Sequence, residues 1–175
     1  MVLCPVIGKL LHKHVVLASA SPRRQEILSN AGLRFEVVPS RFKEKLCKAS
    51  FPTPSAYAVE TAKQKALEVA RRMHQARLPA SDSLRVCCWE RVCRCSTIGG
   101  LILEKPVDKQ DAYRMLSRLN GKEHSVFTGV AIVHCSDRDG RLHTEVLDFY
   151  EETTVKFSEL SEELLREYID SGEPM

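Results

Sequence analysis

Val15-Val16-Leu17-Ala18-Ser19-Ala20-Ser21-Pro22-Arg23-Arg24 is a short apolar run that passes through small residues into a helix start. Four consecutive apolar residues bounded by small polar ones read as a buried strand. Ser21 is a good N-cap, and Pro22 suits the first helical position because its missing N–H would have no partner there. Ile27, Leu28 and Ala31 give this helix its apolar face, and Gly32 ends it. A strand that enters a helix this way brings free backbone N–H groups and the positive end of a helix dipole to one point. Arg23 and Arg24 add forked donors suited to phosphate or carboxylate oxygens. The local sequence allows two readings: an anion site, and an exposed helix start whose arginines are solvated.

Outward from this stretch, Phe35-Glu36-Val37-Val38 reads as a second strand. Thr53-Pro54 opens another helix by the same logic. Val59, Ala62, Ala66, Val69, Ala70 and Met73 recur at helical spacing and carry it to about residue 76. Asp108 caps a third helix with Ala112, Met115, Leu116 and Leu119 as its stripe, and Asn120-Gly121 terminates it. Residues 125–134 are rich in Val and Ile and read as a strand. Asp137-Arg138-Asp139-Gly140 is a turn signal, with a strand from about residue 142 to 157 beyond it. Ser161 opens a last helix with Glu162 and Glu163 in its first turn, where the dipole favours negative charge, and Gly172 caps its end. This order predicts a mixed α+β domain with a central mixed sheet flanked by helices. Residues 1–175 are expected to form a single domain.

The composition, 43% hydrophobic and 28% charged over 175 residues, is that of an ordinary globular chain. A net charge of +3 suits a small polyanion where the cations converge and does not demand a nucleic-acid polymer. No stretch reaches the roughly 20 apolar residues needed to span a bilayer. Lys9, His12, Lys13 and His14 interrupt the apolar start, so no secretory signal is read there. Seven cysteines, an odd count, point to reduced thiols and a cytoplasmic setting.

Several segments, in order, resemble the Maf family of nucleoside triphosphate pyrophosphatases. Ser19-Ala20-Ser21-Pro22-Arg23-Arg24 resembles the family's N-terminal signature, and Ala62-Lys63-Gln64-Lys65-Ala66 its Lys-Ala helix element. Leu103-Glu104-Lys105-Pro106 resembles its Lys-Pro element. Gly121-Lys122-Glu123-His124-Ser125-Val126-Phe127-Thr128-Gly129-Val130 resembles its Gly-x-x-His-x-Val-x-Thr-Gly-Val stretch. Tyr168-Ile169-Asp170-Ser171-Gly172-Glu173-Pro174 resembles its Tyr-x-x-Ser-Gly-Glu-Pro element.

The resemblance implies a Maf fold, cleavage of a nucleoside triphosphate to the monophosphate and pyrophosphate, and a divalent metal, magnesium or manganese. It implies that Ser21, Arg23 and Arg24 line the phosphate end and that Lys65 and Lys105 balance triphosphate charge. Glu44 falls where the family places a carboxylate after its second strand, which makes it the catalytic and metal-holding candidate. Taken alone, Lys65 reads as a solvated helix lysine and Lys105 as a turn residue. His124 and Thr128 read as shaping their strand. The family divides between pyrimidine and methylated guanosine triphosphates, and the pyrimidine side, dTTP, UTP or CTP, is expected.

The pattern breaks at two places. The family's Gly-Ala-Asp-Thr element, whose Asp is its proposed base or metal ligand, is absent. Residues 81–98 instead hold Cys87, Cys88, Cys93 and Cys95, with Arg85, Arg91 and Arg94. Arginines sit badly in a central strand, so this stretch is expected to be the least regular part of the chain, or a poorly packed strand with its arginines turned to solvent. A zinc site is one reading, against which adjacent and x-spaced cysteines do not match the usual Cys-x2–4-Cys pairs. Replacement of the Asp by Glu90 or Asp82 is a second. A shifted reading frame or aberrant exon is the third and favoured one: read one nucleotide later, Cys87-Cys88-Trp89 becomes Val or Ala twice and then Gly. The chain also stops at Met175, where the family continues with Asp-Lys-Ala-Gly-x-Tyr-Gly-x-Gln, so it is expected to be incomplete. The resulting expectation is a nucleoside triphosphate pyrophosphatase domain with impaired activity. Its rival is a catalytically inactive module for nucleotide binding or dimerisation, which expects a homodimer. Neither reading involves a membrane.

Overall fold

A computed structural model describes residues 13–76 and 86–173, with backbone alone for 86–96. Its described elements are β1 (His14–Leu17), α1 (Pro22–Asn30), β2 (Glu36–Val37), a 3-10 turn (Lys48–Ser50), α2 (Pro54–Gln75), β3 (Val86–Ile98), β4 (Leu101–Leu103), α3 (Lys109–Leu119), β5 (Glu123–Arg138), β6 (Arg141–Lys156) and α4 (Glu162–Asp170). The strands form one mixed sheet in the order β2-β1-β3-β5-β6, with β4 paired to β3. β1 runs parallel to both β2 and β3, while β4, β5 and β6 join antiparallel. The fold is the expected mixed α/β one.

The helices begin where side chains can cap them. Thr53 Oγ1 accepts from Ala56 N at 3.1 Å, Asp108 Oδ1 from Asp111 N at 2.7 Å, and Ser161 Oγ from Leu164 N at 3.3 Å. Each satisfies a first-turn N–H that has no helical partner. Ser21 occupies the cap position of α1, but its side chain makes no cap bond.

α2 lies across β3 and β5. Its alanines make this close approach feasible: Ala62, Ala66 and Ala70 join Val16, Ala18, Val69, Ala131, Val133 and Cys135 in one buried cluster. The tightest crossing is at Gly129, where an added Cβ would stand 2.2 Å from the Ala58 carbonyl oxygen. α3 and α4 pack on each other, and Lys109 Nζ reaches Asp170 Oδ1 at 2.7 Å. Asn120 brackets the start of the last segment by bonding both the carbonyl and the N–H of Leu160.

Two local expectations are corrected, and a third is narrowed. The second strand shortens to Glu36–Val37, because Pro39 follows and brings no N–H to the ladder. β5 and β6 extend to Arg138 and Arg141, since each pairs with the other up to the turn. Asp139 and Gly140, at φ 55° and 74°, form that two-residue turn. For the aberrant stretch, the backbone takes the strand form of the two that were expected. Residues 86–98 form a continuous central strand that bonds β1 on one side and β5 on the other, with one register shift between Arg91 and Arg94. Paired neighbours on both sides fix the backbone where side-chain alternation is poor. Residues 81–85, and the side chains of Cys87, Cys88, Glu90, Cys93 and Cys95, lie outside the described residues.

Candidate functional site

The connections order the site. β1 leads through α1 outward to β2, and β2 leads through α2 back across to β3. The strand order therefore reverses at β1, the kind of point at which open α/β sheets bind ligands beyond the carboxyl ends of their strands. The loops that leave β1 and β2 emerge side by side at that edge. They carry Ser19 to Arg24 and Glu44 respectively. β3 continues well past the end of β1, since Leu17 pairs with Trp89 while the strand runs to Ile98. With β4 it extends the sheet beyond that edge.

Ser19 is buried at the mouth of the first loop. Its Oγ accepts the Ser21 N–H at 3.3 Å and a short bond from the Arg24 guanidinium. Arg24 is thus turned inward. Arg23, 78% exposed, faces Glu173 at 4.0 Å across from the Ser171-Gly172-Glu173 segment. That contact is solvent-screened and adds little stability, but it shows that the first and last of the singled-out segments meet.

The second loop is fastened to α2 along one helix face. Glu68 Oε2 accepts from Ser40 Oγ at 2.9 Å and from Arg41 N at 2.8 Å, and Arg72 donates to the Pro39 carbonyl at 2.7 Å. One turn earlier, Lys65 Nζ pairs with Glu44 Oε1 at 2.5 Å. Ala18, Ala62 and Ala66 share the buried cluster, which brings the start of the first loop beside the turn that carries Lys65.

The Leu-Glu-Lys-Pro segment behaves differently from the sequence reading. Lys105 is exposed. It is Glu104 that is held in place: Lys48 Nζ lies 2.8 Å from Oε2 and the Tyr57 hydroxyl makes a short bond to Oε1. Burial would raise the Glu104 carboxyl, but the bonds from Lys48 and Tyr57 and the charges of Lys48 and Lys65 outweigh it and hold it below the usual carboxylate range. Sequence reasoning missed Lys48, Tyr57 and Glu104, since only the tertiary approach of β4 to α2 joins them.

The predicted residues thus fall in three places: Ser21, Arg23 and Arg24 at the start of α1, the Lys65–Glu44 ion pair between α2 and the second loop, and exposed Lys105 just after β4. Two cavities lie elsewhere. One of about 480 Å3, lined by Lys13, His134, Arg138 and His143 among others, sits at the amino end of β1. An apolar slot of about 120 Å3 between β4 and α3 is lined by Leu103, Pro106, Met115 and Leu116 among others, with Glu104 at its edge. None of the six predicted residues lines either.

Among the described residues, no three His, Cys, Asp or Glu side chains converge on a metal position. Magnesium commonly binds one or two carboxylates together with substrate phosphates and water. Glu44, on the second loop and 43% exposed, fits that minimal role.

Cation-bearing loops that leave β1 and β2 where the strand order reverses mark an α/β protein of the kind whose ligands bind at such a point. The family model "Maf-like protein" matches residues 14–175, and the chain belongs to that family. It is 76% identical over 175 residues to a Homo sapiens protein named probable bifunctional dTTP/UTP pyrophosphatase/methyltransferase protein; the match covers all of this chain and 27% of that protein. It is 38% identical to a dTTP/UTP pyrophosphatase of Ruminiclostridium cellulolyticum and 41% identical to one of Thermococcus onnurineus. Those matches cover 92% of this chain in each case, and 74% and 75% of the relatives. No helix among the described residues is long and apolar enough to cross a membrane.

Proposed function

We propose that residues 1–175 act as one Maf-like domain. It binds a pyrimidine nucleoside triphosphate, dTTP, UTP or CTP, in a crevice at the carboxyl edge of β1 and β2 and releases pyrophosphate at an impaired rate. The observation that carries the reading is the Lys65–Glu44 pair at the carboxyl edge of β1 and β2, beside the loop where Ser19 holds Arg24. Arg23, Arg24 and Lys105 meet the phosphates with Lys65, and Ser21 donates from the start of α1. Phosphoryl chemistry asks chiefly for such positioned positive charge. Glu44 would hold the divalent ion, magnesium or manganese, which supplies a Lewis acid for charge that builds on the phosphate oxygens. The dTTP/UTP names of the relatives support the substrate class, and reduced thiols suit a cytoplasmic setting.

The impairment reading rests on the absent Gly-Ala-Asp-Thr element, and the carboxylates described here are already partnered. Glu44 is committed to Lys65, and Glu104 to Lys48 and Tyr57. Loss of a positioned general base typically costs about 10²–10⁴-fold. The same commitments favour a second reading, an inactive module that binds nucleotide without turning it over. Pyrophosphate release from dTTP, UTP and CTP with magnesium or manganese separates them, alongside calorimetric titration of the same nucleotides. Slow release that Glu44→Gln abolishes supports the enzyme, binding without release supports the module, and no binding rejects both.

A further inference from the structure

We infer that Lys48 is a further phosphate-binding cation of the crevice and that Glu104, held by Tyr57, is the residue that positions it. This rests on the nucleotide reading above but not on any motif: no singled-out segment contains Lys48 or Tyr57.

The argument begins with the chain path. Lys48 opens the 3-10 turn in the connection between β2 and α2, the same connection that carries Glu44. The turn alone would leave a long lysine side chain free to sample many rotamers. Here its ammonium is held 2.8 Å from Glu104 Oε2 and 3.5 Å from the Ile102 carbonyl oxygen. The other oxygen of Glu104 takes the hydroxyl of Tyr57, which is 1% exposed. An ordinary surface ion pair contributes little and needs no such support. A carboxylate with each oxygen fixed by its own donor has lost its freedom, and so has the ammonium bound to it. Two acceptors occupy two of the three ammonium donors, which leaves one for a ligand. The side chain is 42% exposed, so that donor is within reach of solvent and solute.

The charges then link the two pairs. Lys48 pairs with Glu104, the charge of Lys65 also acts on Glu104, and Lys65 pairs with Glu44. Both cations thus act on one locked anion. A polyphosphate bound here meets Lys65 and Lys48.

The test is calorimetric titration of the whole chain with dTTP and with inorganic tripolyphosphate, in EDTA, for the wild type, Lys48→Gln, Glu104→Gln, Tyr57→Phe and the Lys48→Gln/Glu104→Gln double variant. Lys109→Gln, which removes a cation paired with Asp170 outside the crevice, is the control. Loss of one charge-assisted bond is expected to weaken both ligands about tenfold in Lys48→Gln, and by the same factor, because Lys48 meets phosphate and not the base. Glu104→Gln is diagnostic by sign. Removal of a negative charge tightens a polyanion if Glu104 only contributes field, and weakens it if Glu104 positions Lys48. We expect weakening, which disappears when Lys48 is already Gln. Tyr57→Phe, nearly isosteric, should weaken binding about threefold and guards against misfolding of the Glu104 variant. Wild-type chain that binds neither ligand overturns the nucleotide reading and this inference with it. Wild-type chain that binds, with Lys48→Gln within twofold of it or Glu104→Gln tighter than it, overturns this inference alone.

Discussion

Lys65 Nζ stands 2.5 Å from Glu44 Oε1, with the lysine side chain 14% and the glutamate side chain 43% exposed. The cation is the more buried partner, so it depends on the pair more than the carboxylate does. This arrangement gives Glu44→Gln two effects of opposite sign. Without divalent metal, the variant should bind dTTP a few-fold more tightly, because the anion that competes for Lys65 is gone. With magnesium, any pyrophosphate release should fall, because the carboxylate that would hold the ion is gone. Titration in EDTA and a release assay with magnesium check the two signs; equal changes in the same direction would reject the dual role.

Gly129 should be close to irreplaceable. A Cβ there would lie 2.2 Å from the Ala58 carbonyl oxygen and 2.6 Å from the Val59 nitrogen. Both contacts are backbone, and α2 cannot retreat without uncovering Ala62, Ala66 and Ala70. Gly129→Ala is expected to cost about 3 kcal/mol or more, the upper range for overpacked cores. Gly140→Ala adds no contact within 4 Å at its φ of 74°, so only the left-handed backbone is penalised, at about 1–2 kcal/mol. Urea denaturation of both variants measures the contrast.

The helices were legible because their signals are local. Thr53, Asp108 and Ser161 announce starts that the structure caps with the same side chains, and Asp139-Gly140 announces a turn by the conformations it tolerates. β3 was not legible, because it is held by neighbours: Leu17 to Trp89 on one side and Val130 to Arg91 on the other are relations between distant segments. The site divides in the same way. Arg23 and Arg24 follow a strand and open a helix, which sequence shows. In Leu103-Glu104-Lys105-Pro106 the lysine drew attention as the charge-balancing residue, yet the glutamate is the one that reaches Tyr57 and Lys48. Which of two adjacent side chains faces α2 is set by the register of β4 on β3, where Leu103 pairs with Ser96.

Cys47 should be the more reactive of the two described free cysteines. The Ser50 hydroxyl and the Ala49 N–H hold its thiol below the ordinary value, and it is exposed. The thiolate is the nucleophile, so a lowered thiol reacts sooner near neutral pH. Cys135 is buried in the main cluster. Iodoacetamide at limiting dose should label Cys47 well before Cys135, as read by peptide mass spectrometry, and Ser50→Ala should slow the labelling of Cys47.

Glu104 should make the fold acid-sensitive. Its carboxyl is faced by Lys48 from the 3-10 turn and by Tyr57 and Lys65 from α2, with Glu44 beyond Lys65. Burial acts to raise it, and the bonds from Lys48 and Tyr57 with the charges of Lys48 and Lys65 lower it by more, so the folded value lies below the ordinary 4.5. A group that binds its proton less tightly when folded stabilises the fold above the unfolded value. That contribution is complete at neutral pH, declines as pH falls below 4.5, and is gone once pH passes the folded value. Glu104→Gln should therefore be less stable than wild type at neutral pH, and the gap should close as pH falls below 4.5 and through the lowered folded value. Other carboxylates titrate in the same window in both proteins, so the difference between the two urea midpoints, followed across that range, isolates Glu104. A gap that stays constant with pH would mean that the carboxylate gains nothing from Lys48 and Tyr57. Lys48→Gln should shrink the gap at neutral pH, because it removes the stronger donor and leaves Tyr57 alone to hold the charge.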